Sequence, residues 1–248
     1  MPKRPLVLAH RGARRRAPEN TLEAFVVARA QGADGVELDV RRTRDGALVV
    51  HHDPAPEHGP VLATVDFAEV RAGFPSIPTL AEALDACAGL LVNIEIKNLP
   101  KEADFDPDEA VADRVVALLG ERDGADRVLV SSFRLPTIDR VRLGAPHVPT
   151  GFLFKSALRF DRMAALIADR GHRALHPNVW ALAGPRAATC VRAATDRGLH
   201  VNVWTVNKAA EVVRLAAAGV DGLVTDVPDE VLVALGQAGS TTDSASGT

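Results

Sequence analysis

Glu37 and Asp39 interrupt the apolar stretch GVELDV at 35–40, and Glu95 and Lys97 interrupt LLVNIEIK at 90–97. Charged side chains are costly to bury without partners, so their presence in apolar runs needs a reason. Side chains two apart on a strand share a face. Glu37 therefore pairs with Asp39 and Glu95 with Lys97, while Val36, Leu38, Val40, Ile94 and Ile96 take the opposite faces. Three converging carboxylates repel one another unless a cation joins them. Oxygen-only ligands suit a hard ion, Mg²⁺ or Ca²⁺, over zinc. The alternative is a metal-free buried ion-pair network of Glu37, Glu95, Lys97 and Arg11, and spacing leaves both open.

Histidines lie close by. His10 ends the run LVLAH, and His51-His52 follow the run that begins at Ala47. The connection RRTRDG, 41–46, is too short for a parallel crossover, and Asp45-Gly46 signals a two-residue type I′ hairpin. That register sets Asp39 opposite His52, and directly opposed residues share a face. It aims His52 at the carboxylates and His51 away, provided no bulge shifts the register. His10 and His52 beside Arg11 and Lys97 suit general acid–base work on a phosphorylated substrate. A divalent ion and two cations would stabilise the charge that spreads in a phosphoryl transition state. Asn20 or Thr21 reads as a helix N-cap. Glu19 either orients Arg11 or joins the metal shell, and Arg14-Arg15-Arg16 reads as a solvated loop.

These residues need a scaffold. Short apolar runs fall at 6–10, 35–40, 47–53, 90–97, 127–133, 150–154, 173–177, 200–206 and 222–226, and most are separated by stretches of helical periodicity. No linker breaks the alternation. One domain over 1–236 is expected, a (β/α)8 TIM barrel. The surplus run, 47–53, folds back in a β-hairpin extension of strand 2, residues 41–53. A doubly wound sheet is disfavoured because no GxGxxG follows the first run. Function in such a barrel collects at the carboxyl ends of strands. There lie His10-Arg11, Glu37, Asp39, Glu95, Lys97, Ser131-Ser132, His176, Trp204 and Asp226. His176 reads as structural.

Composition narrows the class. The 248 residues carry a net charge of −3, so no basic field points to nucleic acid. The two cysteines, Cys87 and Cys190, fall in apolar helical patterns and read as reduced core thiols. The N-terminal LVLA is too short for a signal-peptide core, and no apolar run approaches the roughly 20 residues of a spanning helix. A cytoplasmic protein with no membrane span is expected, with residues 237–248 as a disordered tail.

Taken together, AHRG (9–12), PENT (18–21), the sweep from ELDV to HDP (37–54), IEIK (94–97), VWTVN (203–207) and GVDGLVTDVPD (219–229) resemble the glycerophosphodiester phosphodiesterase family. The motifs run in order over nearly the whole chain. The resemblance implies a TIM barrel that hydrolyses glycerophosphodiesters to sn-glycerol 3-phosphate and an alcohol with a divalent cation. It assigns His10 and His52 as the acid–base pair and Glu37, Asp39 and Glu95 as metal ligands. It gives Arg11 and Lys97 to the phosphate and sets Trp204 along the substrate cleft. We take His10 as base and His52 as acid, although the sequence does not order them. The family's Leu-Asp-Arg segment after HDP is missing from the stretch beginning APEHGPVLATVDF, which bears on alcohol specificity. Two other readings are a lyase of the phospholipase D toxin type, forming cyclic phosphates, and a non-catalytic phosphate-binding barrel. The polar loop at 55–60 and the short LVLA weigh against the first, and the full reactive set against the second.

Overall fold

The computed structural model describes residues 4–122, 127–156 and 160–244, with side chains through 236. The strands are β1 (Leu6–His10), β2 (Gly35–Arg42), β3 (Leu48–Val50), β4 (Leu91–Ile96), β5 (Val128–Ser132), β6 (Thr150–Phe154), β7 (Ala174–Pro177), β8 (His200–Val203) and β9 (Gly222–Thr225). The helices are α1 (Leu22–Ala30), α2 (Phe67–Gly73), α3 (Leu80–Ala86), α4 (Ala110–Gly120), α5 (Leu135–Gly144), α6 (Phe160–Asp169), α7 (Ala187–Thr195), α8 (Ala209–Ala218) and α9 (Pro228–Ser244). The sheet runs β1-β9-β8-β7-β6-β5-β4-β2-β3 and closes through a β1–β2 pairing. All pairings are parallel except β2–β3, so eight strands form the TIM barrel and β3 lies outside it. Every run read as a strand is one, though several end earlier than the sequence suggests.

Parity governs the layers. Val36, Leu38, Val40, Ile94 and Ile96 are buried in one apolar cluster with Phe25, Ala28, Leu80 and Ala83 from the surrounding helices. A second cluster gathers Val7, Leu175, Val201, Val203 and Leu223 with residues of α6 to α9. Each fully buried Val, Leu or Ile contributes about 1.5–3 kcal/mol, so the apolar faces lock the charged faces inward. Cys87 and Cys190 are both buried free thiols, and burial pushes the Cys87 thiol up to about 12. Thr21, not Asn20, caps α1, its hydroxyl accepting from the Ala24 N–H. Gly12, at φ +77, leaves no room for a Cβ, which would lie 2.7 Å from that of Ala24.

The hairpin differs from expectation. Val40 pairs with Val50 and Arg42 with Leu48, one residue out of the predicted register. The loop holds three residues, Arg44 to Gly46, between Thr43 and Ala47, whose backbones bond at 3.0 Å. Arg44 N–H goes to the Val65 carbonyl instead of across the hairpin, and Asp45 accepts from the Thr43 hydroxyl. Gly46 supplies the positive φ, +85, that such a bulged turn demands. In this register it is the His51 N–H that bonds the Asp39 carbonyl.

The backbone of α9 reaches Ser244, and the end of the expected tail, 245–248, lies outside the described residues. Among those described, no helix is long and apolar enough to cross a membrane.

Candidate active site

The barrel register brings the predicted carboxylates together. Asp39 is the β-partner of Glu95, and Glu37 that of His10. Glu37, Asp39 and Glu95 are buried, with one oxygen from each within 4.8 Å of the others. Two cations lean on them. Lys97 Nζ lies 2.8 Å from Glu95 and 3.6 Å from Asp39. Arg11 Nε lies 3.1 Å from Asp39, while its Nη1 donates to Glu19 at 2.7 Å. Asn20, at φ +58, donates its amide to Asp39 at 2.9 Å. Glu37 has less support: one oxygen accepts the Arg11 backbone N–H at 3.0 Å, and Oε1 is buried without a hydrogen-bond partner among the described residues.

The electrostatics reflect this arrangement. Burial, then the charges of Asp39 and Glu95, push Glu37 well above the usual carboxylate range. Burial also raises Glu95, against the pull of Lys97. Burial acts the same way on Asp39, but Lys97 and Arg11 overcome it and hold that carboxyl low. Lys97 and Arg11 thus form an ion-pair network with Glu95 and Asp39. Two cations flank two carboxylates, and the third, Glu37, is left with a raised pKa and, among the described residues, an oxygen without a hydrogen-bond partner. An all-oxygen set in which one buried carboxylate lacks a cation partner fits a hard divalent ion.

His10 and His52 each have an aspartate. His10 Nδ1 lies 2.7 Å from Asp226 at the end of β9, and Asp226 accepts from the Asn207 amide at 2.7 Å. His10 Nε2 stands 4.0 Å from Glu37. His52 Nδ1 lies 2.7 Å from its neighbour Asp53. Burial lowers the His52 pKa, with Asp39 opposing and Lys97 and Arg11 assisting, so His52 feels the charges of these three residues. His51 instead turns Nδ1 to the Asp53 carbonyl and lines a small cavity with Glu19, Asn20 and Phe74.

The opposite wall is aromatic. Trp204 donates its indole N–H to the His176 carbonyl at 2.7 Å and meets Phe133 edge-on at 5.4 Å. Phe133 also faces Lys97 Nζ at 5.9 Å. His176 is enclosed in the barrel, its Nε2 accepting from Asn202 at 3.1 Å, and burial drives its pKa down to about 3. Sequence reasoning did not assign Asp226, Asn207, Asn20 or Arg41 to the site. Asp226 had a signal, its place at a strand end, whereas Asn20 was masked by its adequate reading as a cap.

Residues 10–230 match the Glycerophosphoryl diester phosphodiesterase family. A Caldanaerobacter subterraneus glycerophosphodiester phosphodiesterase is 32% identical over 92% of this chain and 96% of its own length. A Bacillus altitudinis enzyme of the same name is 29% identical over 91% and 96%. The crystal structure of a glycerophosphodiester phosphodiesterase from Thermotoga maritima aligns with a TM-score of 0.79 at 26% identity, covering 93% of this chain and 98% of that one.

Proposed function

The chain belongs to the glycerophosphoryl diester phosphodiesterase family, and from that premise we propose how its residues divide the chemistry. It is a phosphoric diester hydrolase that cleaves glycerophosphodiesters to sn-glycerol 3-phosphate and an alcohol. One observation carries the division of roles: two aspartate-bonded histidines beside a buried carboxylate trio that shares its space with Arg11 and Lys97. Residues 1–236 form the catalytic unit on this reading.

Glu37, Asp39 and Glu95 would hold a divalent cation, Mg²⁺ or Ca²⁺, which when bound supplies Lewis-acid polarisation of phosphoryl oxygens. Arg11 and Lys97 carry the positive charge that the phosphate needs as negative charge spreads in the transition state. Trp204 lines the cleft. His10 is the base. Asp226 holds its Nδ1–H, leaves Nε2 free to accept a proton, and stabilises the imidazolium that forms. The proton comes from the attacking hydroxyl, either water or the glycerol 2-hydroxyl. As that oxygen bonds to phosphorus, the bond from phosphorus to the alcohol oxygen breaks. His52 is the acid. With Nδ1 on Asp53, Nε2 is the nitrogen left to protonate the departing alkoxide. If the glycerol hydroxyl attacks, a cyclic phosphate forms first and water opens it.

The test is a panel of choline, ethanolamine, glycerol and inositol glycerophosphodiesters with Mg²⁺, with Ca²⁺ and with EDTA, followed by ³¹P NMR. Sn-glycerol 3-phosphate should accumulate with metal and cease with EDTA. A cyclic phosphate as the end product would make the enzyme a lyase, and turnover undiminished by EDTA would remove the metal role of the trio.

A further inference from the structure

Arg41 is a buried cation that the division of roles above does not use. It continues the inward series of β2, after Glu37 and Asp39, and its side chain is 0% exposed. It does not serve the carboxylate trio. Its Nε and Nη2 both donate to the backbone carbonyl of His52, at 2.8 and 2.5 Å. Its Nη1 donates to Asp104 at 2.6 Å and its Nη2 to Glu102 at 3.1 Å. Both acids lie in the loop that leaves β4, the strand that delivers Glu95 and leads into Lys97.

This grip bears on how His52 comes to face the site. Ladder geometry sets His51 opposite Asp39, because its N–H bonds the Asp39 carbonyl. Yet His51 turns its ring to the Asp53 carbonyl and a cavity with Phe74 and Ile77, whereas the His52 ring pairs with the Asp53 carboxylate and feels the charges of Asp39, Lys97 and Arg11. Strand pairing stops at Val50, so the ladder no longer dictates the facing of the next residues. After the single His51 N–H bond to Asp39, the next fixed backbone point is the His52 carbonyl, held by two N–H groups of one guanidinium. A planar fork fixes direction as well as distance, and charged donors make the stronger bonds. The fork is itself fixed by two carboxylates, so the anchor does not swing.

We propose that Arg41 is a positioning residue for His52: it turns the chain after β3 so that the His52 ring meets the phosphate site, and Glu102 and Asp104 hold Arg41 in place to do so. The inference rests on the reading of His52 as the proton donor. It makes the two loops interdependent, because the segment after β4 sets the aim of a residue after β3.

The experiment uses the full chain, with Arg41→Gln, Arg41→Lys and Asp104→Asn, each alone and Arg41→Gln also combined with His52→Ala. A misplacement near 1 Å costs on the order of 10²-fold in rate. Arg41→Gln should lower kcat by about that factor with KM changed only a few-fold. Arg41→Lys keeps the charge but loses the fork and should fall about 10-fold, with Asp104→Asn milder still. In the His52→Ala background, Arg41→Gln should cause no further fall, since the effect passes through His52. Histidine side-chain NMR gives a readout apart from turnover: the His52 ring resonance shifts or broadens in Arg41→Gln, while those of His10 and His176 stay.

An unmoved His52 resonance with kcat within twofold of wild type overturns the inference. So does an Arg41→Gln loss that multiplies fully with His52→Ala, because Arg41 would then act by another route. If Arg41→Gln does not fold, Arg41→Lys and Asp104→Asn carry the same two readouts. If His52→Ala alone keeps turnover, the proton-donor reading fails, and the NMR shift still decides whether Arg41 aims the ring.

Discussion

His10 and His52, the proposed acid–base pair, stand on different kinds of support. His10 ends a barrel strand, and its aspartate comes from the adjacent strand β9, with Asn207 behind it. That support is 14% exposed at the histidine side chain and 12% at Asp226. His52 lies past the end of a short outlying strand, and its aspartate is the next residue, 70% exposed. Its firm attachment is through the backbone, to Arg41. One imidazole is fixed by its ring and the other by its main chain. The ring-fixed histidine suits a base that must present one tautomer. The backbone-fixed one has an exposed ring partner and suits the proposed acid at the rim.

The largest effect should come from removing either imidazole. His10→Ala and His52→Ala should each lower kcat by on the order of 10³-fold or more, measured as glycerol 3-phosphate release. An active double variant would end the acid–base assignment. The aspartates separate the two mounts. Asp226→Asn replaces an acceptor that fixes the His10 tautomer in a partly buried pair, and a loss on the order of 10²-fold is expected. Asp53→Asn changes an exposed pair weakened by solvent and salt, and should cost only a few-fold. Equal losses at the two aspartates would erase the distinction between ring-fixed and backbone-fixed histidines.

Much of this site is legible in the sequence because parity is a strong constraint. Glu37, Asp39, Glu95 and Lys97 sit among apolar residues that demand the helix-facing side, so their own side is determined. The alternation of runs implies the barrel, and its closure brings β1 to β9. That closure makes the His10–Asp226 pair, across 216 positions, and no local pattern announces a contact between a chain's two ends. The hairpin register departs from expectation for a different reason. Asp-Gly favours a two-residue turn in isolation, but the Val65 carbonyl takes the Arg44 N–H and the loop gains a residue. The two-residue turn selects His52 through the ladder; in the structure the ladder selects His51, and Arg41 holds the chain at His52 beyond the ladder's end. Asn20 escapes notice because a residue that suits a cap gives no sign that its amide bonds a carboxylate elsewhere.

A third histidine shows what the aspartates contribute, through the smallest of these effects. His176 is enclosed in the barrel with Asn202 as its ring partner and, among the described residues, no carboxylate paired with it, and burial takes its pKa from 6.5 to about 3. Gly151 stands beside it, where a Cβ would lie 2.7 Å from Nε2. A folded pKa below the unfolded value means that the unfolded chain binds the extra proton first. Stability is therefore lost as pH falls from about 6.5 towards 3, by roughly 1.4 kcal/mol for each pH unit from this group. His176→Gln keeps a neutral polar group there and removes the titration. Urea unfolding at pH 7, 6 and 5 should show a flatter acid limb for the variant than for the wild type, whatever the variant's stability at pH 7. Parallel limbs would mean that His176 takes up its proton in the folded barrel, and that burial without a carboxylate does not keep a histidine neutral here.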